Sequence, residues 1–517
     1  ALTRVLQSDD SREILHALEL LPQLENVQLD DRVENLLGHS LSEIRIAALQ
    51  YFMRRQTMRL ADSVYRMFQD PDASVRAAAI HAFCAIGRDK SVRVVRPFLT
   101  DPDPGVRGAA ITGMIKYGGL DGVLAAAEGL KELIGHPDAA MRRHAAVVLG
   151  AIGVKNFYQP VLELMDDSDL SVRRQAIQSA GVLQSPEFSI PLIYKTTSID
   201  VGREATTSLV AYGAGMVPIL SKVLDNLQEN PAVRRGVARV LGRLGGVDAV
   251  EVILHHLNSS DEELKTQLYK ALARATRRRR VSTVNRKQVK QALEREVERI
   301  YEVLAKAEAL QLGSGPDART PHDGPRAAEA LLSSALEDKI AHIERRIFLL
   351  LAVLHSDTDM ERIQVGIRDS RTADAARRRA NALELLENIL PKNVKQQLLP
   401  LFDDLPRTGK LRAVTELISI PVVSFGETVI SLCKDDTAWV RACAVHYAAQ
   451  LDCAEANDTV AAAVDDPSPI VRESALLAAA RMVPERIQQL AESRLGDDAT
   501  VVRQQAIRMA KRKKTVA

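Results

Sequence analysis

Asp70-Pro71-Asp72-Ala73-Ser74-Val75-Arg76-Ala77-Ala78-Ala79 recurs in outline along almost the whole chain of 517 residues. An acidic or proline turn comes first, then a small apolar residue, an arginine, and an alanine about three residues on. Ile44-Arg45 with Ala48 stands 31 residues before Val75-Arg76, and Val106-Arg107 with Ala110 stands 31 after it. Met141-Arg142, Val172-Arg173, Gly202-Arg203 and Val233-Arg234 continue the series, and Val440-Arg441, Val471-Arg472 and Val502-Arg503 restore the step of 31. A fixed period of this size belongs to a stack of similar units, each too small to bury its own apolar face and each completed by its neighbours.

Between these marks the apolar residues recur at helical spacing, as in Val75, Ala78, Ala79 and Phe83, and no stretch alternates as a strand does. The unit around Asp70 predicts a first helix over Leu60 to Gln69 and a second over Ala73 to Ile86. Asp72 would cap the second helix, and Gly87 would close it in a left-handed conformation. The same punctuation returns at Asp101-Pro102-Asp103-Pro104, His136-Pro137-Asp138, Asp166-Asp167-Ser168-Asp169, Asp465-Asp466-Pro467 and Asp497-Asp498. Paired helices with Asp at the turn and Val-Arg opening the second helix resemble HEAT repeats, especially the short, regular bacterial kind. The expected fold is an all-α, HEAT-like solenoid of about fourteen helix pairs. Its expected parts are an N-terminal repeat array over 1–275, a basic helical hairpin insertion over 276–375 with a flexible loop at 311–325, a C-terminal array over 376–510, and a basic tail or linker over 511–517.

The arginines Arg45, Arg76, Arg107, Arg142, Arg173, Arg234, Arg441, Arg472 and Arg503 share one register beside the turn acids. That placement predicts a structural ladder of charge-assisted hydrogen bonds between neighbouring repeats. A row of phosphate-binding arginines would instead need an open concave face, and the fixed acidic partners argue against it.

Apolar residues make up 46% of the chain and aromatics only 4%, which suits thin layers packed through Ala, Leu, Val and Ile. With 69 basic and 67 acidic residues the net charge is +2, so no global field draws in nucleic acid. The longest apolar run, Ile347 to Leu354, is far short of the roughly 20 residues that span a bilayer. No secretory signal opens the chain, and its start at Ala1 is that expected of a part of something longer. Cys84, Cys433, Cys443 and Cys453 form no disulfide framework and point to a reducing compartment. Cys443 and His446 lie one helical turn apart but lack the ligands that complete a zinc site. No phosphate loop, paired-histidine zinc helix or nucleophile elbow is present. Gly409-Lys410, the nearest approach to a phosphate loop, lacks both the upstream glycine and the following Ser or Thr. Catalytic residues, metal ligands and cofactors are therefore not expected, and the chain reads as a non-enzyme.

The register breaks from about 276 to 375. From Leu264 to Leu293 there are ten basic residues and no acidic one. Arg274, Arg277, Arg278, Arg279, Arg280, Arg286, Lys287 and Lys290 are the candidate contacts for an anionic surface. A helix over Gln288 to Leu310, with Val289, Leu293, Val297, Ile300 and Leu304 on one side, and a second over Arg326 to Leu354 would form a hairpin projecting from or bracing the solenoid. The basic cluster reads as a solvated surface, as a contact for anionic lipid headgroups, or as a site for nucleic acid or an acidic partner. Polybasic segments gain on the order of 1 kcal/mol per Lys or Arg beside an anionic bilayer. Nucleic acid is the least favoured of the three, because single-strand binding adds stacking aromatics and only Tyr269 is close.

A narrower resemblance lies in Glu344-Arg345-Arg346-Ile347-Phe348-Leu349-Leu350-Leu351 and in Arg379-Ala380-Asn381-Ala382-Leu383-Glu384-Leu385-Leu386-Glu387-Asn388-Ile389-Leu390-Pro391. The opening Ala1 to Asp10, leading to Ala17-Leu18-Glu19-Leu20-Leu21, adds to it. These stretches resemble the HEAT-repeat region of bacterial proteins related to ATP/ADP antiporters. In that family a major-facilitator-type membrane domain precedes the repeats and a cyclic-nucleotide-binding-like domain often follows. Neither is present in this chain, so no transport or effector residue is carried over. The resemblance implies a cytoplasmic regulatory or coupling arm at the face of a membrane, whose partner is a protein or a covalently linked transporter domain. An independent scaffold that recruits protein partners and a HEAT-type nucleic-acid-binding protein are the alternatives.

Overall fold

The computed structural model describes residues 5–8, 10–21, 29–279, 285–311, 324–368, 375–420 and 424–512. These are helical throughout and contain no strand. The chain divides into two compact units, 1–220 and 221–517, each built from stacked helix pairs.

In the first unit the second helices of successive pairs are Ser42–Arg55, Ala73–Gly87, Pro104–Tyr117, Ala139–Ile152, Leu170–Leu183 and Gly202–Ala211, and each packs on the next. Apart from Gly119–Ile134, the partner helices are shorter and often broken by 3-10 turns, as where Ala61–Arg66 runs into Met67–Gln69. Aspartates start the second helices by accepting backbone N–H groups: Asp72 from Ser74 at 2.8 Å, Asp103 from Val106 at 3.0 Å and Asp169 from Ser171 at 2.8 Å. The helix at Ala73 runs one residue further than its sequence suggests. Gly87 keeps an ordinary φ of −85°, and Arg88 takes the positive value of 49°.

Small residues set the closeness of the stack. A Cβ at Gly181 would lie 2.9 Å from the Ser208 Cα on the next second helix, and Ser208 Oγ reaches back to donate to the Ile177 carbonyl at 2.7 Å. In the second unit a Cβ at Gly242 would meet the Ala271 Cα at 2.6 Å, which is backbone and cannot swing away. Gly242→Ala is therefore expected to force these two helices apart and cost about 1–3 kcal/mol by overpacking. Urea unfolding would register it as a lowered midpoint with little change in slope.

The second unit stacks Pro231–Leu244, Glu262–Arg279, Pro325–Leu354, Ala438–Gln450, Pro469–Met482 and Thr500–Arg512 in that order. The 30-residue helix Pro325–Leu354 pairs with Arg286–Ala309 as a hairpin, and Val289, Leu293, Val297, Ile300 and Leu304 are buried in it. This long helix also packs on Glu262–Arg279 on one side and on Ala438–Gln450 on the other. The hairpin thus takes a full place in the stack. Helices Met360–Arg368, Ala375–Ile389, Lys392–Phe402 and Arg407–Val414 keep the form of repeat pairs, but the stack of second helices passes them by. Most of the loop placed at 311–325, and the tail beyond 512, lie outside the described residues.

Candidate functional site

Four register arginines grip the turn aspartate 25 residues further on. Arg45 Nε and Nη2 donate to Asp70 at 2.9 and 3.0 Å, Arg142 to Asp167 at 2.6 and 2.8 Å, and Arg441 to Asp466 at 2.7 and 2.8 Å. Arg472 Nη2 reaches Asp497 at 2.7 Å and Asp498 at 2.5 Å. The remaining fork, Nη1, turns back onto the carbonyls of the arginine's own turn, as from Arg441 to Asp435 at 2.7 Å. Each planar guanidinium therefore ties its own turn to the next one.

Arg76 and Arg503 make the turn-carbonyl bonds, to Asp70 and to Asp498, at 3.0 and 2.9 Å. Arg173 does so to Asp167 at 2.8 Å and lies 3.9 Å from Asp200. Arg107 donates to the Asp101 carbonyl and to Met141 Sδ, because the acid of the following turn is replaced by His136. That histidine still accepts the Asp138 N–H through Nδ1 at 3.1 Å, but an imidazole offers an arginine no carboxylate. Arg234 is buried and donates to the Leu224 carbonyl at 3.0 Å.

At Asp435 the ladder is completed from elsewhere. Lys339 of the long helix, 96 residues earlier, donates to both Asp435 oxygens at 2.6 Å and to Asp436 at 2.9 Å. Lys339 stands where a repeat would supply its arginine, and burial pushes its pKa down while Asp435 pulls it up. A second cluster lies further along the same helix. Arg346 pairs with Glu262 and, through Nη2, with Glu296 at 2.7 Å. Glu262 also accepts from Lys265 at 2.6 Å and Arg299 at 2.8 Å, Arg299 continues to Asp436, and Tyr269 donates to Glu296 at 3.1 Å. The two clusters form one chain of charges joining Glu262–Arg279 and both helices of the hairpin to the turn before Ala438–Gln450.

Burial pushes Glu262 upward, but Arg346, Lys265 and Arg299 outweigh it and hold its pKa at about 2, against an ordinary 4.5. Arg472 holds Asp497 at about 2 against 3.8. A depressed carboxylate contributes its full stability above its unfolded pKa and loses it as pH falls through the folded value. The melting temperature of the 221–517 unit is therefore expected to fall between pH 4.5 and about 2, with these groups contributing no change above that window. Circular dichroism melts across the window check this.

The basic cluster is divided by the fold. Arg274 and Arg277 are exposed on Glu262–Arg279 and join Lys270 and Arg345 around a groove of about 620 Å³. The half-buried Leu349 and Ala352 supply its apolar surface over the buried Phe348 and Met360, and among the described residues the one acid lining it is Glu361, 3.9 Å from Arg277. Arg286 and Lys290 belong instead to a second cleft of about 360 Å³ on another face of the long helix. Lys287 is exposed but lines neither opening. The side chains of Arg278 and Arg279, and all of Arg280, lie outside the described residues. Lys270 and Arg345 were absent from the sequence candidates. Lys270 carries an available signal, one helical turn before Arg274, whereas Arg345 comes from a distant helix.

Cys84, Cys433 and Cys443 are buried, and burial raises their thiols to about 12, 12 and 11. Among the described residues no group of three or more His, Cys, Asp and Glu side chains is placed to hold a metal ion, and no single helix is long and apolar enough to cross a membrane.

Stacked helix pairs bound by a recurring arginine–aspartate step define an α-solenoid of the kind that serves as a protein-interaction scaffold. The sequence profile of HEAT repeats matches residues 60–129, 126–209, 190–273 and 426–511, more than half of the chain, which therefore belongs to the HEAT-repeat family. No curated protein sequence matches it. Among solved structures it is similar to importin beta, at 11% identity and a TM-score of 0.31 over 99% of this chain and 79% of that one. It is also similar to the karyopherin Kap121p, at 12% identity and a TM-score of 0.31 over 98% and 57%. Human deoxyhypusine hydroxylase matches at 15% identity and a TM-score of 0.26 over 53% and 94%.

Proposed function

We propose that the chain is a non-catalytic scaffold whose basic groove holds an acidic, amphipathic segment of a protein partner. The supporting observation is the groove itself: Lys270, Arg274, Arg277 and Arg345 surround the half-buried Leu349 and Ala352, with Glu361 the only acid among its described lining residues. An acidic helix with one apolar face satisfies both parts at once. A flat bilayer surface matches a concave apolar floor less well, and nucleic acid would find Phe348 buried rather than offered for stacking. The paired variant Lys270→Glu, Arg274→Glu tests this, because both side chains are exposed and outside the charge network. It is expected to abolish retention of the partner at low salt while leaving the melting temperature unchanged. Retained partner binding, with anionic vesicles or DNA lost in its place, would overturn the reading.

The finer proposal is that this scaffold is the cytoplasmic arm of a membrane transporter resembling the ATP/ADP antiporters. It rests on the likeness of Glu344–Leu351 and Arg379–Pro391 to that family's repeat region. Fractionation of source cells with an antibody to this chain tests it. A membrane-bound band well above the mass of this chain supports the arm, and a soluble band of its own size contradicts it.

A further inference from the structure

The second cleft lies between the start of Arg286–Ala309, the end of Pro325–Leu354 and the segment from Ile389 to Gln397. We propose that it is a binding site for a single-chain carboxylate amphiphile taken from solution. The carboxylate would sit at Arg286 and Lys290, and the alkyl chain would lie against Ile389, Pro391 and Val394, over the buried Leu293, Val297 and Leu351.

Three observations carry this. The cleft encloses about 360 Å³, within the roughly 300–1,000 Å³ of small-molecule sites, and its walls are largely aliphatic. Among the described residues its permanent charges are Arg286 and Lys290 against Glu294, which leaves one net positive charge beside an apolar wall. That balance suits a monoanionic head better than a dianionic phosphate ester. Arg286 is held at the cleft by donating to the Leu354 carbonyl at 2.7 Å, so one cation is positioned before any ligand arrives. His355 lines the same cleft, and burial, Arg286 and Lys290 all lower its pKa, as expected of a site with uncompensated positive charge. The site is separate from the basic groove, and its fate is independent of the scaffold reading.

Calorimetric titration of the full chain with dodecanoate, kept below its micellar concentration, tests the proposal against acetate, dodecyltrimethylammonium and phosphatidylglycerol vesicles. Dodecanoate is expected to bind once per chain, with acetate and the cationic amphiphile at least about a hundredfold weaker. Lys290→Glu, which leaves the bond from Arg286 intact, is expected to weaken dodecanoate at least about tenfold. Val394→Trp should block the chain-binding wall. Both positions are at the surface or half-buried, and melting curves show whether the fold is kept. Bound dodecanoate should also raise the His355 midpoint read from its ring NMR signals. The proposal is overturned if dodecanoate binds no better than dodecyltrimethylammonium, or if both variants bind as the parent does. An unmoved His355, or binding to vesicles alone that survives Val394→Trp, would overturn it equally.

Discussion

Arg346→Ala is expected to destabilise the 221–517 unit by about 3–5 kcal/mol, the cost of stripping one partner from a buried ion cluster. The Arg346 side chain is only 3% exposed, as is Glu296, its partner at 2.7 Å. Removing the guanidinium leaves Glu296 with a hydrogen bond from Tyr269 and no positive charge within the pair. Glu262 fares better, because Lys265 and Arg299 still reach it. The double variant Arg346→Ala, Glu296→Leu should therefore recover part of the loss, since the stranded charge is gone. Urea unfolding of both variants measures this. A double variant less stable than the single one would show that Glu296 is not the group left in difficulty.

The second large effect is expected at Lys339. Lys339→Met keeps an unbranched chain one atom shorter but leaves Asp435, whose side chain is 5% exposed, without its cation. Asp435 would still accept the Thr437 N–H at 2.9 Å, which holds the carboxylate in place and prevents it from turning to solvent. The expected cost is about 3–4 kcal/mol. It should be concentrated where Pro325–Leu354 meets Ala438–Gln450, so amide exchange in 438–450 rises while exchange in 42–211 stays as it was. Lys339→Arg keeps the charge and should lose much less. Equal losses in both variants would mean that the pair contributes by shape rather than by charge.

These two residues also mark where the sequence stops being informative. Val75-Arg76 and its relatives announce the fold because a repeat writes the same local needs at every step: an aspartate to start a helix, a small apolar residue to bury, an arginine to span turns. The ladder step from Arg441 to Asp466 lies inside that period and can be seen in the spacing. The step from Lys339 to Asp435 covers 96 residues and the pair Arg346–Glu262 covers 84, so neither leaves a periodic trace. For the same reason the hairpin's apolar stripe at Val289, Leu293 and Val297 was readable while its place in the stack was not. The polybasic stretch was misleading in a different way. Arg274 and Arg286 are near in sequence, but the chain begins a new helix between them, and folding assigns them to different openings. Only tertiary packing brings Arg345 beside Lys270 and supplies Leu349 and Ala352 as an apolar floor.

The groove bounded by Lys270, Arg274 and Arg345 is proposed to hold a protein. A photo-crosslinking amino acid in place of the half-buried Leu349, introduced into the full chain in its source cells, tests it most directly. A discrete protein adduct is expected, suppressed by added acidic amphipathic peptide and absent when Lys270 and Arg274 are changed to Glu. Adducts with lipid or nucleic acid alone, or a protein adduct indifferent to that charge reversal, would contradict it.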